Sequence, residues 1–375
     1  MKNNSRINIF IDNDPNWGGT FQYTENIVEA LSRKYKKKIN IFYTKDVWLK
    51  KFRGIDKQKI TLNFFKRFFF FMIILLIKDL KKISFLSRYL IGIKENNDIW
   101  IFPSQDLLSV IFPGKKIVAV HDLMHLHTSF DESSSLFKRI YRNFRYKKIA
   151  TNSDKIIFDS EYGKSQFLNH YKVKKSKLYV LPFFVNKMLF KKNNVFKKEK
   201  YLLYPAKFWK HKNHINLLKA IYKLVKIDMM NDIKIYLTSS KNLEYKKIEN
   251  FIKKKGLIKN VILTGYISNK KLAKLYTNAR ALVMPTFFGP TNIPPVEAFN
   301  YGCPVLISDI FASREQCGNA ALYFNPNEYK WIAEKIKIIW QDELLFAKMR
   351  RRSHAMSKKY NFNNYSKKLF KIILN

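Results

Sequence analysis

"YLLYPAKFWKHKNHINLLKAI", residues 201–221, decides how this chain is organised. An apolar run reads as a strand. A loop follows with Lys207, Lys210 and Lys212, and an amphipathic segment then begins at Asn213, a credible N-cap. Strand, loop and helix in that order make one step of a parallel α/β unit. The chain takes the same step at its start, where "RINIFIDN" (6–13) runs through a Gly-Gly turn into a helix from about Thr20. Between the two starts, "FVNKMLFKKNNVFKKEK" (184–200) is charged and weakly periodic, as a connector would be. The pattern therefore runs twice.

Working outward, strand candidates before the connector are 6–13, 38–44, 98–104, 116–122, 155–160 and 177–183. After it they are 201–207, 232–240, 261–266, 281–286, 304–309 and 321–325, separated by helical segments 213–228, 242–255, 269–279 and 294–301. Continuous apolar strands alternating with helices indicate parallel sheets covered on both faces. Residues 327–373 read as helices only. The expected fold is α/β, with two Rossmann-like doubly wound domains facing each other across a cleft, over 1–185 and 200–355. A C-terminal helix, 356–375, is expected to pack back on the first domain. Ligands in such folds sit beyond the carboxyl ends of strands.

At 375 residues and 47% hydrophobic, the chain is long and apolar enough for two folded domains. Cys303 and Cys317 are its two cysteines, too few for a disulfide framework or a cysteine zinc site, and they fit a reducing compartment. "MKNNSRINIFIDND" has no signal-peptide core and reads directly into a strand, so a cytoplasmic chain is expected. The net charge of +43 suggests a polyanionic partner. Only 13 of the 71 basic residues are Arg, and Lys, Asn, Ile, Phe and Tyr abound, so AT-rich coding bias is an equal explanation.

Residues 64–93 combine the apolar run Phe68 to Ile77 with flanking Lys and Arg. That run is half the ~20 residues a spanning helix needs. Two readings stand: a buried helix of the first domain, or an interfacial helix with basic groups on lipid phosphates.

Four strand ends carry candidate chemistry. After the first strand, Gly18 and Gly19 let the backbone approach a ligand, and the helix that follows presents free amides to a phosphate. The turn is neither GxGxxG nor a P-loop. At "VAVHDLMHLHTSF" (118–130), His121 and Asp122 end a strand. His125 and His127 lack the glutamate spacing of a zinc helix, so no metal is expected. His121 either donates to a substrate or is satisfied by backbone. Lys207 and Lys212, five apart across a turn, can converge on a diphosphate, or be solvated surface charge. In "FFGPTNIPPVEAFNYGCPV" (287–305), prolines stiffen the approach to Glu297. Glu297 falls in the first helical turn, where it either completes a capping box near N3 or accepts from both hydroxyls of a ribose.

Together these sites resemble retaining glycosyltransferases of the GT-B fold, family 4, most strongly over Tyr201 to Asp309. The resemblance implies an acceptor-side first domain and a nucleotide-sugar-binding second domain. It implies that Gly18 and Gly19 approach donor phosphate and acceptor, and that His121, within His-Asp, contacts the donor sugar. Lys207 and Lys212-Asn213 would grip the diphosphate, with Lys207 standing where the family commonly has Arg. Glu297-Ala298 and Gly302-Cys303-Pro304-Val305 match the second half of the family's two-glutamate motif, and Glu297 would hold the ribose. The first glutamate would fall at 289, where this chain has Gly289; Thr291, Asn292 and the backbone amides of this turn, including Ile293, would then meet the sugar.

The implied reaction transfers a sugar from a nucleoside-diphosphate donor to a saccharide or lipid-linked acceptor, with retention and without a cofactor or metal. Lys207 and Lys212 would stabilise the departing diphosphate. An anionic membrane surface is an expected partner, which would place the chain at the inner face of the cytoplasmic membrane. A basic nucleic-acid binder is the rival from another class, but no zinc-finger or RNP1-like spacing occurs and nucleic acid is not expected. A sugar-nucleotide epimerase and an inactive remnant share the fold and stay open.

Overall fold

The computed structural model describes residues 6–77, 98–126, 135–185, 200–241, 244–289 and 291–374. Two compact units emerge. One comprises Met1–His125, Ser135–Phe183 and Phe362–Asn375; the other comprises Phe184–Asn361 with Leu126–Ser134.

In the first unit the elements run β1 (Ile7–Ile11), α1 (Gly19–Tyr35), β2 (Ile39–Tyr43), β3 (Asp56–Lys59), α2 (Phe64–Leu76), β4 (Ile99–Phe102), β5 (Lys115–Val120), α3 (Leu136–Asn152), β6 (Lys155–Phe158), α4 (Glu161–His170) and β7 (Leu178–Val180). They form a parallel sheet of order β3-β2-β1-β4-β5-β6-β7. Every residue of β1 and β4 is buried, as continuous apolar strands under helices on both faces must be. The register of the central strands is also held by polar groups. Asn8 donates to Asp98 Oδ2 at 2.8 Å and accepts from Asn40 Nδ2 at 3.0 Å, joining β1, β2 and the approach to β4. A one-residue slip would strand these buried groups without partners.

The second unit runs β8 (Leu202–Tyr204), α5 (His214–Tyr222), β9 (Ile235–Leu237), α6 (Tyr245–Lys254), β10 (Val261–Leu263), α7 (Asn269–Asn278), β11 (Ala281–Met284), α8 (Ile293–Asn300), β12 (Val305–Ser308), α9 (Ser313–Cys317), β13 (Ala321–Phe324), α10 (Tyr329–Gln341) and α11 (Glu343–Ser357). Its parallel sheet has the order β10-β9-β8-β11-β12-β13. The chain then returns to the first unit as α12 (Phe362–Leu374). α12 buries Tyr365, Leu369, Ile372 and Ile373. Phe370 packs edge-on against Tyr35 of α1, and Arg33 of α1 stacks on Phe362 at 4.0 Å.

The reading of residues 64–93 as a buried helix does not hold over its described part. α2 buries Phe70 and Ile74 but leaves Phe64 and Phe65 75% and 79% exposed, with Phe68, Phe69, Leu75 and Leu76 also outside. The rest of that stretch lies outside the described residues.

At the turn between α8 and β12, Gly302 has φ +62°, and a β-carbon there would meet His354 Nε2 of α11 at 2.1 Å. Gly302→Ala is expected to cost roughly 1–3 kcal/mol, from left-handed backbone strain and overpacking together. A lowered urea midpoint checks this; a wild-type midpoint would show that the contact with α11 does not constrain the turn.

Candidate functional site

In the second sheet the strand order reverses between β8 and β11, so the loops leaving their carboxyl ends lie side by side. The β8 loop carries Lys207 and a tight turn at Lys210–Lys212. Tyr204 donates from its hydroxyl to Lys212 O at 2.8 Å, and Phe287 N of the β11 loop donates to His211 O at 2.8 Å. Lys207 and Lys212 are therefore half-buried on a pinned loop, with the Lys207 ammonium 4.9 Å from the Trp209 ring centre.

Asn213 does not cap α5 with its side chain. It adopts the left-handed conformation, φ 57° and ψ 38°, and its amide donates to Pro285 O and Pro326 O at 2.8 Å each. Behind it, His214 sits between the rings of Tyr204 and Phe208. Burial pushes its imidazole down to about 3, with the Lys212 charge adding to the shift, so this histidine is a neutral wall.

Glu297 is the fifth residue of α8, a position past the reach of a capping box, so that reading fails. Pro294 and Pro295 do occupy the first turn, and Asn292 is the N-cap without a side-chain cap bond. Tyr276 of α7 instead donates to Glu297 Oε2 at 2.7 Å, while its ring stacks on Tyr301. Burial first and the Glu297 carboxylate second hold the Tyr276 hydroxyl well above its usual range, so it stays protonated and aims the acid. Before the helix, Gly289 has φ +141°, while Thr291 and Ile293 are half-buried and Asn292 is buried.

In the first unit Gly18 is the N-cap of α1, with φ +57° and open space where a β-carbon would project; the helix starts at Gly19. His121, at the end of β5, has both ring nitrogens facing acceptors. Nδ1 lies 3.3 Å from both oxygens of Asp159, and Nε2 lies 2.8 Å from Pro103 O. Burial opposes charge on this ring, but the carboxylate and the carbonyl outweigh it and hold the pKa above its usual value. Asp122 turns away: its carboxylate accepts from Met124 N, and its carbonyl accepts from the Tyr146 hydroxyl. His125 is buried beside the Tyr171 hydroxyl, and His127 lies outside the described residues. Among the described residues no three His, Cys, Asp or Glu side chains could hold a metal ion together.

At the β1–β4 reversal of the first sheet stand two acids that sequence reasoning did not single out. Asp12 pairs with Arg67 of α2 at 2.8 Å. Asp106 follows β4, and burial, then the Asp12 charge, push its carboxyl up to about 6. Asp12 follows β1 directly, the rule that found His121, and Asp106 stands in the loop that leaves β4, so position alone could have flagged them. Asp159 follows β6 and was visible by the same rule. Tyr276 carries no such signal, because it reaches Glu297 from a separate helix.

Two parallel-sheet, Rossmann-like units in one chain, with C-terminal helices, are the GT-B fold, as in solved structures with little sequence in common. Anabaena HepE, solved with UDP and glucose, superposes with a TM-score of 0.75 at 13% identity, covering 98% of this chain and 99% of that one. Residues 185–359, nearly the whole second unit, match the glycosyl transferases group 1 family. The chain is similar to the O-antigen chain mannosyltransferase RfbU of Salmonella typhimurium, 29% identical over 224 residues, 60% of each protein. It is also similar to O-antigen chain mannosyltransferase B of Escherichia coli, 26% identical over 164 residues, 44% of this chain and 43% of the relative. The matches thus span less than two thirds of these relatives' lengths.

His121 makes stability depend on pH in a definite direction. A histidine whose pKa is raised by folding stabilises fully below its unfolded value, near 6.5, and loses that contribution as pH rises through the folded value. His214, lowered on folding, acts with opposite sign but only below about 6.5. Asp159→Asn should therefore flatten the loss of stability between neutral and alkaline pH. Urea midpoints across that window test this; parallel curves for variant and wild type would show that the His121–Asp159 pair is not charged.

Proposed function

We propose that the chain is a retaining glycosyltransferase of family 4 that moves a hexosyl unit from a nucleoside-diphosphate sugar to a saccharide or lipid-linked acceptor, in the making of a bacterial surface polysaccharide. The observation that carries this reading is the seam of the second unit. There Lys207 and Lys212 share one pinned loop, Glu297 stands behind the adjacent one, and both fall within the glycosyl transferases group 1 match. Two of the similar proteins act on O-antigen chains by name, and HepE was solved with UDP.

In this reading the diphosphate lies on the β8 loop, and the two ammonium groups stabilise the charge that develops as the sugar–phosphate bond breaks. Two cations suffice for that charge, so no metal is invoked. Glu297, aimed by Tyr276, accepts from the ribose hydroxyls. Gly18 leaves open backbone at the start of α1, where with Gly19 it would meet donor phosphate and acceptor. His121, with both ring nitrogens facing protein acceptors, acts at the strand ends of the first unit through its pairing with Asp159 rather than by a ring hydrogen bond to the sugar. Replacing Lys207 and Lys212 together by Ala should weaken nucleoside diphosphate binding roughly 10–100-fold, the worth of one to two charge-assisted bonds. Glu297→Gln should cut transfer with the fold intact. Calorimetry and a product assay over a panel of nucleotide sugars decide; unchanged affinity and turnover would remove both assignments.

The reading includes a place for the enzyme on the cytoplasmic face of a membrane. Among the described residues no helix is long and apolar enough to cross one. α2 and α3 meet through Phe71 against Tyr141 and Phe144. They expose Phe64, Phe65, Phe68, Phe69 and Leu76 from one helix and Leu136, Phe137 and Ile140 from the other, with Lys66 and Lys138 exposed among them. Apolar side chains interleaved with cations match the headgroup boundary of an anionic bilayer. Full-length protein should co-sediment with vesicles containing phosphatidylglycerol and far less with pure phosphatidylcholine. Each of Phe64→Ser, Phe65→Ser and Phe137→Ser should weaken partition by roughly tenfold. Indifference to lipid charge, or a dimer that hides these residues, would overturn the docking.

A further inference from the structure

Gln316 and Asn292 form a buried amide pair beside the β11 loop. Gln316, in α9, is 4% exposed. Its carboxamide spans the backbone of one residue: Nε2 donates to Asn292 O at 2.7 Å, and Oε1 accepts from Asn292 N at 3.1 Å. Gln316 is itself anchored, since the Tyr360 hydroxyl donates to its carbonyl at 2.7 Å. Two opposed hydrogen bonds to one residue are what a neighbouring strand would supply, and they hold Asn292 extended at φ −139° and ψ 140°.

With its backbone held, Asn292 folds its side chain over Gly289. Nδ2 lies 3.4 Å from Gly289 O. A β-carbon on Gly289 would sit 2.9 Å from Asn292 Oδ1 and 3.1 Å from Nδ2. The φ of +141° at Gly289 independently disfavours any side chain. Three positions are thus interlocked. Gln316 sets Asn292, and the Asn292 amide together with the φ at 289 favours glycine there.

We propose that Gln316 is a positioning residue for donor choice, acting through Asn292. This rests on the glycosyltransferase reading, in which position 289 faces the donor sugar. The lock removes any carboxylate from that position and leaves neutral amides there. A neutral hydrogen bond to a sugar hydroxyl is about half as strong as one to a carboxylate. Discrimination between sugars that differ in one hydroxyl must then come from where the loop holds its amides, and Gln316 fixes that place. The diphosphate, bound on the β8 loop, lies outside its influence.

The test compares binding of a bare nucleoside diphosphate with two nucleotide sugars that are epimers at one carbon, UDP-glucose against UDP-galactose and GDP-mannose against GDP-glucose. Wild type should separate at least one epimer pair. Gln316→Leu should shrink that ratio about fivefold or more, the worth of one net hydrogen bond, while diphosphate affinity stays within about twofold. A merely structural role would lower all affinities together, and that outcome, or an unchanged ratio, overturns the proposal. Should Gln316→Leu fail to fold, Asn292→Ala keeps both backbone bonds to Gln316 and removes only the amide over Gly289. Its ratio must shrink too, and an unchanged one overturns the proposal. Wild type that binds no diphosphate or nucleotide sugar overturns the donor reading and this inference with it. Binding without separation of any epimers overturns this inference alone.

Discussion

The left-handed Asn213 is the joint on which the second unit's site turns. The β8 loop must leave its strand, present two lysines and enter α5 within ten residues, beside a loop that leaves β11. Asn213 accepts a backbone conformation costing roughly 1–2 kcal/mol for most residues. In return its two amide hydrogens reach the carbonyls that follow β11 and β13, Pro285 O and Pro326 O. Aspartate or serine could not replace it, because neither offers two donors. The ends of three parallel strands are thus tied by one buried side chain. The positions of Lys207, Lys212 and the loop before Glu297 follow from that tie.

Much of the fold was legible because parallel strands buried on both faces must be apolar throughout. Runs such as "RINIFIDN" and "ALVMPT" announce themselves, and each became a strand of a parallel sheet. β3, "DKQK", was invisible for the opposite reason: it pairs at the sheet edge with three of its four residues exposed, so nothing in its composition marks it. The site was legible where chemistry sits at a strand end and obscure where it is completed from elsewhere. Asn213 was noticed for its residue type and assigned the commonest job of that type, a cap, whereas its left-handed backbone turns the amide to other work. Glu297 was found by its prolines, but Tyr276, which aims it, comes from 21 residues away on another helix. Hydrogen bonds across such separations leave no local pattern to read.

The first unit handles charge differently from the second. Its strand ends are acidic, with Asp12, Asp106 and Asp159; an imidazole at the end of β5 faces Asp159, and a guanidinium on α2 answers Asp12. Arg67 belongs to the same helix that exposes Phe64 and Phe65. The apolar outer face of that helix and the acid after β1 are therefore one side chain apart. A chain so rich in lysine has ample charge for any anionic surface, but the pairs at these two strand ends are made by Arg67 and His121, whose planar groups fix the direction of their hydrogen bonds.

The return of α12 to the first unit has a consequence for biosynthesis. Tyr365 packs against Tyr23 and beside Asp159, close to His121, so the earlier unit lacks part of its interior until the later unit has been translated. At common elongation rates, the interval between Phe183 and α12 is about 10–40 s. During it, the residues that α12 will cover, Tyr35 among them, have no partner from that helix. The second unit, continuous from Phe184 to Asn361 apart from one short segment contributed earlier, has no such wait. The order of maturation is then the reverse of the order of synthesis: the half made second can finish first, and the half made first must be held, by its own marginal stability or by a chaperone, until its last helix arrives.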